Sequence, residues 1–268
     1  MNVRLIAVLV LGLASVSFAE ERKPLASFIE LPWSYVIGGW SNGCWLNSEV
    51  TGKHLTAPRT SYRVFNFSGT AGEVSAAAAA PDMDVCPDVW LQKITPQPDL
   101  EKEAIGVNAA WDPMPRKAKS ADTTQDLYVD AVRELLKAKG IADPKVKITQ
   151  LLRIDLEGDK EDEVILSATN YSNAGEAIAP KAGDYSFVAL RRLVKGKVQT
   201  QIIGGDFYTK VDENSAPDTY KIAGFLDLNG DGKLEVIIHT TYYEGGGIQV
   251  WQLQNEKLVR VLRVDCGA

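Results

Sequence analysis

Between Ile222 and Tyr243 the chain runs apolar, then acidic, then apolar: Ile222 to Leu226, Asp227 to Glu235, Val236 to Tyr243. Oxygen-bearing side chains stand at loop positions one, three, five and nine, as Asp227, Asn229, Asp231 and Glu235, with Gly232 at six and the Lys233 carbonyl at seven. This is the grammar of a calcium loop. Calcium is a hard cation that takes about six to eight oxygens, and a chain curling around it offers alternate side chains plus one carbonyl if a glycine permits the tight turn. A helix-flanked loop of this kind carries a bidentate glutamate at position twelve. Ile238 stands there instead, so the loop must close through Glu235. Its β-branched and aromatic flanks predict strands on both sides.

The same pattern occurs seventy-two residues upstream. Ile154 to Leu166 laid over Leu226 to Ile238 gives seven identities in thirteen, among them both aspartates, the first glycine, the closing glutamate and the Val-Ile that follows. Thr169 and Tyr171 then fall over Thr241 and Tyr243, and turn signals follow near Lys195-Gly196 and Asn255-Glu256. The stretch from about 149 to 264 is an internal repeat. These residues resemble FG-GAP or VCBS-type repeats, the units of integrin-like β-propellers and of many secreted bacterial proteins. The resemblance implies two propeller-blade-like, four-stranded units with calcium ligands at Asp227, Asn229, Asp231, Lys233 and Glu235, and at Asp155, Glu157, Asp159, Glu161 and Glu163. Lys160 stands where the downstream loop has its permissive glycine, and neither Phe-Gly nor Gly-Ala-Pro occurs in the chain. The partner-binding loops of integrin-like members therefore do not carry over.

Residues 1–19 read as a secretory signal peptide, with Arg4 ahead of an apolar run from Leu5 to Val16 and Ser17-Phe18-Ala19 before Glu20. The run is too short to span a membrane, and no later stretch approaches the length that would. Net charge is −6, and removing Arg4 with the leader makes it more negative still. Nucleic-acid affinity rests mainly on basic contacts to phosphate, so nucleic acid is not the expected partner. Three cysteines, Cys44, Cys86 and Cys266, entering an oxidising compartment predict one disulfide and one remaining thiol. Cys44–Cys86 is the expected pair because both lie in the N-terminal region. The other two pairings stay open.

Residues 20–116 form an expected β-rich N-terminal domain holding five of the six tryptophans: Trp33, Trp40, Trp45, Trp90 and Trp111. They read as a Trp-rich core or as an exposed platform for sugar or peptide. Ser41-Asn42-Gly43 signals a hairpin, and Tyr62 to Phe67 alternates as a strand does. Pro113 to Ser120 marks a boundary. Beyond it, residues 117–268 predict one amphipathic helix over Asp122 to Lys139, stopped by Gly140 and Pro144, and then eight strands in two groups of four. The fold class is mainly β.

Chemistry beyond the loops is sparse. There are two histidines, His54 and His239, and no zinc-protease, serine-hydrolase or phosphate-loop motif. The expectation is a secreted, calcium-binding module with a structural role or one in binding protein or carbohydrate. A secreted hydrolase or lyase acting on sugar through acidic residues is the alternative, since such chemistry needs only two carboxylates.

Overall fold

A computed structural model describes residues 26–96, 104–171, 179–211 and 217–267; the signal-peptide reading of residues 1–19 lies outside them. The N-terminal part contributes β1 (Ala26–Glu30), β2 (Val36–Ser41), β3 (Cys44–Leu46), α1 (Ser48–His54), β4 (Thr60–Asn66), β5 (Gly69–Ala76), β6 (Ala80–Pro81), β7 (Trp90–Leu91), β8 (Ile94–Thr95) and β9 (Ile105–Asn108). Seven of these strands form one sheet in the order β3-β2-β1-β9-β4-β5-β8, and β6 pairs with β7. The β2–β3 hairpin turns where the sequence predicts, through Asn42 and Gly43, both at positive φ. The helix α1 was not expected. Its signal was Asn47, whose side chain accepts from the Val50 N–H and caps it.

The C-terminal part adds β10 (Lys119–Ser120), α2 (Asp126–Ala138), β11 (Ile148–Ile154), β12 (Glu163–Thr169), β13 (Tyr185–Val194) and β14 (Lys197–Phe207), then β15 (Thr219–Leu226), β16 (Glu235–Tyr242), β17 (Gly245–Gln254) and β18 (Lys257–Gly267). All pairings in the two resulting sheets, β10-β11-β12-β13-β14 and β15-β16-β17-β18, are antiparallel neighbours in sequence. The repeat is visible in the details. Bulges interrupt the third strand at Val188/Ala189 and at Val250/Trp251, and the hairpins that follow turn on left-handed pairs, Lys195-Gly196 and Asn255-Glu256. The predicted helix begins four residues late, at Asp126, because Asp122 spends its carboxylate on a local turn with the N–H and hydroxyl of Thr124. Its C-terminal stop holds: Gly140 is left-handed, and the Ile141 N–H returns to the Leu136 carbonyl.

The three main sheets are layered, with the β15–β18 sheet in the middle. Ala223, Ile237, Ile248, Val250, Leu262 and Val264 on one face meet Phe28, Ile37, Phe65 and Val107 of the N-terminal sheet. Ile222, Phe225, Val236 and Ile238 on the other face meet Leu152, Ile154, Ile165, Val188 and Leu190. A sheet buried on both sides needs apolar residues at successive positions, which is why Val236-Ile237-Ile238 reads as a continuous run rather than an alternation. Helix α2 covers the outer face of the β10–β14 sheet through Val132 and Leu136.

The expected Cys44–Cys86 bond is corrected. Cys86 is bonded to Cys266, 180 residues away, and Cys44 is an exposed free thiol. The cause is topological: β18 lies against β2 and β3, which carries the C-terminus back to the N-terminal sheet. Gly38 makes room for it, since a Cβ there would stand 2.4 Å from the Leu46 carbonyl oxygen and 2.9 Å from Leu262 Cδ2. The five N-terminal tryptophans are each half-buried. Trp40, Trp45 and Trp111 pack on the core shared with the middle sheet.

Candidate metal centre and aromatic cleft

Both acidic loops are held in the same way. Asp227 ends the strand with its carboxylate turned back over the loop, Oδ1 accepting the Gly230 N–H at 2.7 Å and Oδ2 the Gly232 N–H at 2.9 Å. Asp155 does likewise for the N–H groups of Gly158, Asp159 and Lys160, at 2.6, 3.1 and 3.0 Å. The closing glutamate of each loop accepts the N–H of the buried leucine after that aspartate, Glu235 from Leu228 at 2.8 Å and Glu163 from Leu156 at 3.0 Å. Lys160 takes the left-handed conformation that Gly232 takes, at φ 75° against 81°. The cost falls on the residue and does not break the turn.

Their electrostatics differ. Upstream, Arg192 Nη2 lies 2.5 Å from Glu157 Oε2 and 3.8 Å from Glu163 Oε1, and Lys233 Nζ lies 3.4 Å from Glu157 Oε1. Asp162 pairs with Lys119 and Arg153. Burial raises the Asp155 carboxyl, but the N–H groups of Lys160, Gly158 and Asp159 and the charge of Arg116 outweigh it, so its pKa is lowered overall. Downstream, among the described residues, no ion pair reaches Asp227, Asp231 or Glu235. Asp227 is raised, chiefly by burial. Glu235 is fully buried and pushed well above the ordinary carboxylate range, first by burial and then by the charges of Asp231 and Asp227, against the N–H of Leu228 and its own backbone N–H. Its Oε1 meets no hydrogen-bond donor.

The loop is braced from outside by residues that the repeat pattern did not single out. Trp111 Nε1 donates to the Asp227 carbonyl at 2.8 Å with its ring over Gly230, and the Asp227 N–H donates to the Pro113 carbonyl at 2.8 Å. Arg116 ties the two loops together, donating to the carbonyls of Asp155, Leu156 and Gly232. The Leu234 N–H donates to the Leu156 carbonyl. Asn229 accepts from the Asp231 N–H and Asp231 from the Lys233 N–H. Asp231 is exposed at the rim while Asn229 is buried. Among the described residues, the one group of acidic, Cys or His side chains with ligand atoms all within 4.8 Å is Asp82, Cys86 and Cys266. Both of its sulfurs are in the disulfide and offer no thiolate to a metal. The acids of the downstream loop are looser than that, and exposed Asp231 accepts from the Lys233 N–H and from the Asn229 side-chain amide at 3.2 Å.

No family model, no curated protein and no solved structure matches this chain.

At the other end of the middle sheet is an open cleft of about 590 Å³ lined by Trp33, Tyr35, Asp82, Glu244, Gly246 and Cys266, among others. Glu244, Gly245 and Gly246, at the turn between β16 and β17, form one wall. Trp33 covers Gly246, where a Cβ would stand 2.1 Å from its ring. Below, buried Glu30 accepts the Trp33 N–H at 2.9 Å and lies 3.9 Å from His239 Nε2, and the His239 and Trp33 rings are 5.1 Å apart. No sequence signal joined these residues, since Glu30 and His239 belong to different sheets. Asp206 and Asp218 form a separate pair sharing the Tyr220 hydroxyl at 3.3 and 3.4 Å.

Proposed function

We propose that this chain is a secreted calcium-binding module in which a metal held by the Asp227–Glu235 loop rigidifies the middle sheet and a surface elsewhere contacts a protein or carbohydrate ligand. The observation that carries the metal is Glu235 Oε1, a buried, negatively polarised oxygen with no donor. A buried carboxylate is stable as an anion only when paired or bound to a metal, and Asp227, Asn229 and Asp231 supply the further oxygens a hard cation takes. Calcium supplies the charge that lets Asp227 and Glu235 ionise together. Asp227 and Glu235 then fix the end of β15 to the start of β16, and Trp111 and Pro113 hold the loop from outside.

The two four-stranded meanders, each with its acidic loop after the first strand and stacked face to face, fit the blade-like reading that the FG-GAP and VCBS resemblance suggests. The acidic loop and the cleft lie at opposite ends of β16, whose ends Glu235 and Tyr242 are seven residues apart, or about 23 Å. The metal therefore acts on the cleft by stiffening the sheet rather than by touching a ligand. In the cleft, the Trp33 and Tyr35 rings offer stacking faces and Asp82 and Glu244 offer acceptors. The alternative, a sugar-cleaving hydrolase or lyase, draws on those two cleft carboxylates.

Two measurements test the reading. Melting of the oxidised protein is compared in calcium and in chelator, for wild type and Glu235→Gln. Calcium raises the wild-type midpoint and leaves the variant unmoved; a wild-type midpoint indifferent to chelator ends the metal reading. A glycan array run beside a turnover screen addresses the cleft, where retention without cleavage, lost in Trp33→Ala, supports binding and product formation supports the hydrolase.

A further inference from the structure

Registering the two repeats on their strands locates a substitution that the loops alone do not show. Arg191 pairs with Val164 and Trp251 with Val236, the residues immediately after the closing glutamates Glu163 and Glu235. Arg192 and Gln252 are therefore equivalent positions on β13 and β17. In the upstream repeat, Arg192 puts one guanidinium nitrogen between the carboxylates at loop positions three and nine, Glu157 and Glu163. In the downstream repeat these positions are Asn229 and Glu235. Gln252 is turned away toward the N-terminal sheet, where its Oε1 accepts the Trp45 indole N–H at 3.2 Å. Removing the arginine leaves Glu235 Oε1 with nothing to face.

We infer that Arg192 is a built-in cation standing where a metal would sit in the upstream loop, so that the chain binds one calcium rather than two, and that the upstream loop is a latent calcium site closed chiefly by this side chain, the one cation that reaches both Glu157 and Glu163 while Lys233 reaches Glu157 alone. The inference rests on the reading that the downstream loop binds calcium. Negative charge at loop position nine is met once by a tethered guanidinium, which also reaches Glu157 at position three, and once by a free cation, and the two solutions exclude each other because they occupy the same space. The guanidinium fit is imperfect. Arg192 Nε and Nη1 are buried without acceptors, so an uncharged amide at 192 relieves two stranded donors while it uncovers the acids.

Calorimetric titration of calcium into the chelator-stripped, oxidised full-length protein decides the matter. The expected stoichiometry is one for wild type, two for Arg192→Gln, none for Glu235→Gln and one for the double variant. The reciprocal change Gln252→Arg, which gives the downstream loop its own tethered cation, takes wild type from one to none and keeps the test open should Arg192→Gln not fold. Wild type binding two ions, or folded Arg192→Gln still binding one, overturns the inference and leaves the downstream site standing. Wild type binding none with Arg192→Gln binding one sinks the downstream reading and upholds the role of Arg192. None in both sinks the two together.

Discussion

The two acidic loops of this chain share seven residues in thirteen and the same backbone hydrogen bonds, yet one is internally neutralised and the other is not. Asp155 is lowered where Asp227 is raised, although each caps its own turn with backbone N–H groups. Asp155 is lowered because backbone N–H groups and Arg116 outweigh its burial, and Asp227 is raised because burial outweighs its N–H groups. The closing acids differ through the third strand of each repeat, Arg192 in one and Gln252 in the other, and the loops differ in the residue before the closing glutamate. Asp162 meets Lys119 and Arg153, whereas Leu234 is buried in the core between the sheets. Loop geometry and loop chemistry are thus separable: aspartate, glycine and glutamate set the turn, and residues far along the chain set what the turn can hold.

The comparison is open to breakage at several points, the largest being the disulfide that secures the downstream sheet alone. Cys86–Cys266 closes about 180 residues, and restraining so long a loop in the unfolded chain stabilises by roughly 5 kcal/mol on the chain-entropy account. Cys86→Ser with Cys266→Ser is expected to lower the melting midpoint by about 10 °C or more. Cys44→Ser is expected to leave it unchanged. Non-reducing peptide mapping that joins Cys44 to either partner would reverse both expectations.

Arg192→Ala comes next. It leaves Glu163 with the Leu156 N–H and Glu157 with Lys233 and also removes two unsatisfied donors, so the expected loss in chelator is about 2 kcal/mol, below the roughly 3 to 5 typical of breaking a well-satisfied buried pair. Adding calcium should recover most of that loss in the variant and only the ordinary increment in wild type. Loss that calcium does not touch would make Arg192 a packing residue and the two loops chemically unrelated.

The third test compares like with like. On the proposed reading that the downstream loop binds calcium, saturating it at about a hundredfold its dissociation constant is expected to contribute roughly 2.7 kcal/mol, a few degrees of melting temperature. Asp231→Ala should remove most of the chelator response because the side chain at loop position five is exposed and has no part in the core, so that its proposed role is as a ligand. Asp159→Ala, the equivalent change upstream, should leave the response intact. Equal effects of the two would mean that both loops bind.

Much of this was legible in the chain. Strand, acidic loop, strand, hairpin reads directly from Asp-Leu-x-Gly-Asp and the turn residues, because those signals are local, and the eight expected C-terminal strands correspond to β11 to β18, while the two-residue β10 was not expected. What was not legible is long-range. Arg192 is an unremarkable basic residue until β13 is laid beside β12. Trp111 reads as one of the N-terminal tryptophans and Arg116 as part of the boundary stretch, yet Trp111 braces the downstream loop and Arg116 ties both loops together. Cys44 and Cys86 are near neighbours in sequence, but the return of β18 to the N-terminal sheet gives Cys86 a partner at the far end of the chain.

The smallest expected effect concerns a third acidic cluster, placed where the first repeat passes to the second and provided with neither a loop nor a tethered cation of its own. Asp206 at the end of β14 and Asp218 before β15 share the Tyr220 hydroxyl, which has one proton to donate and so satisfies one carboxylate at a time. Burial raises both carboxyls, and the charge of Asp206 raises Asp218 further; Asp265 adds to this, Arg263 opposes it, and Tyr242 lies nearby. A raised carboxyl pKa means that the folded protein holds the proton more tightly than the unfolded chain. The associated stability is present below the unfolded pKa of about 3.9 and is lost as pH rises through the folded values. Asp218→Asn keeps an acceptor for Tyr220 and removes one of the two charges. Relative to wild type, with calcium held saturating, its melting temperature should therefore gain as pH rises from about 4, reaching roughly 1 to 2 °C at neutral pH, the scale of a partly screened repulsion in a chain of this size. A difference that stays flat across that range would show that the pair ionises without penalty, and that among the acidic clusters of this fold only the two loops depend on a cation.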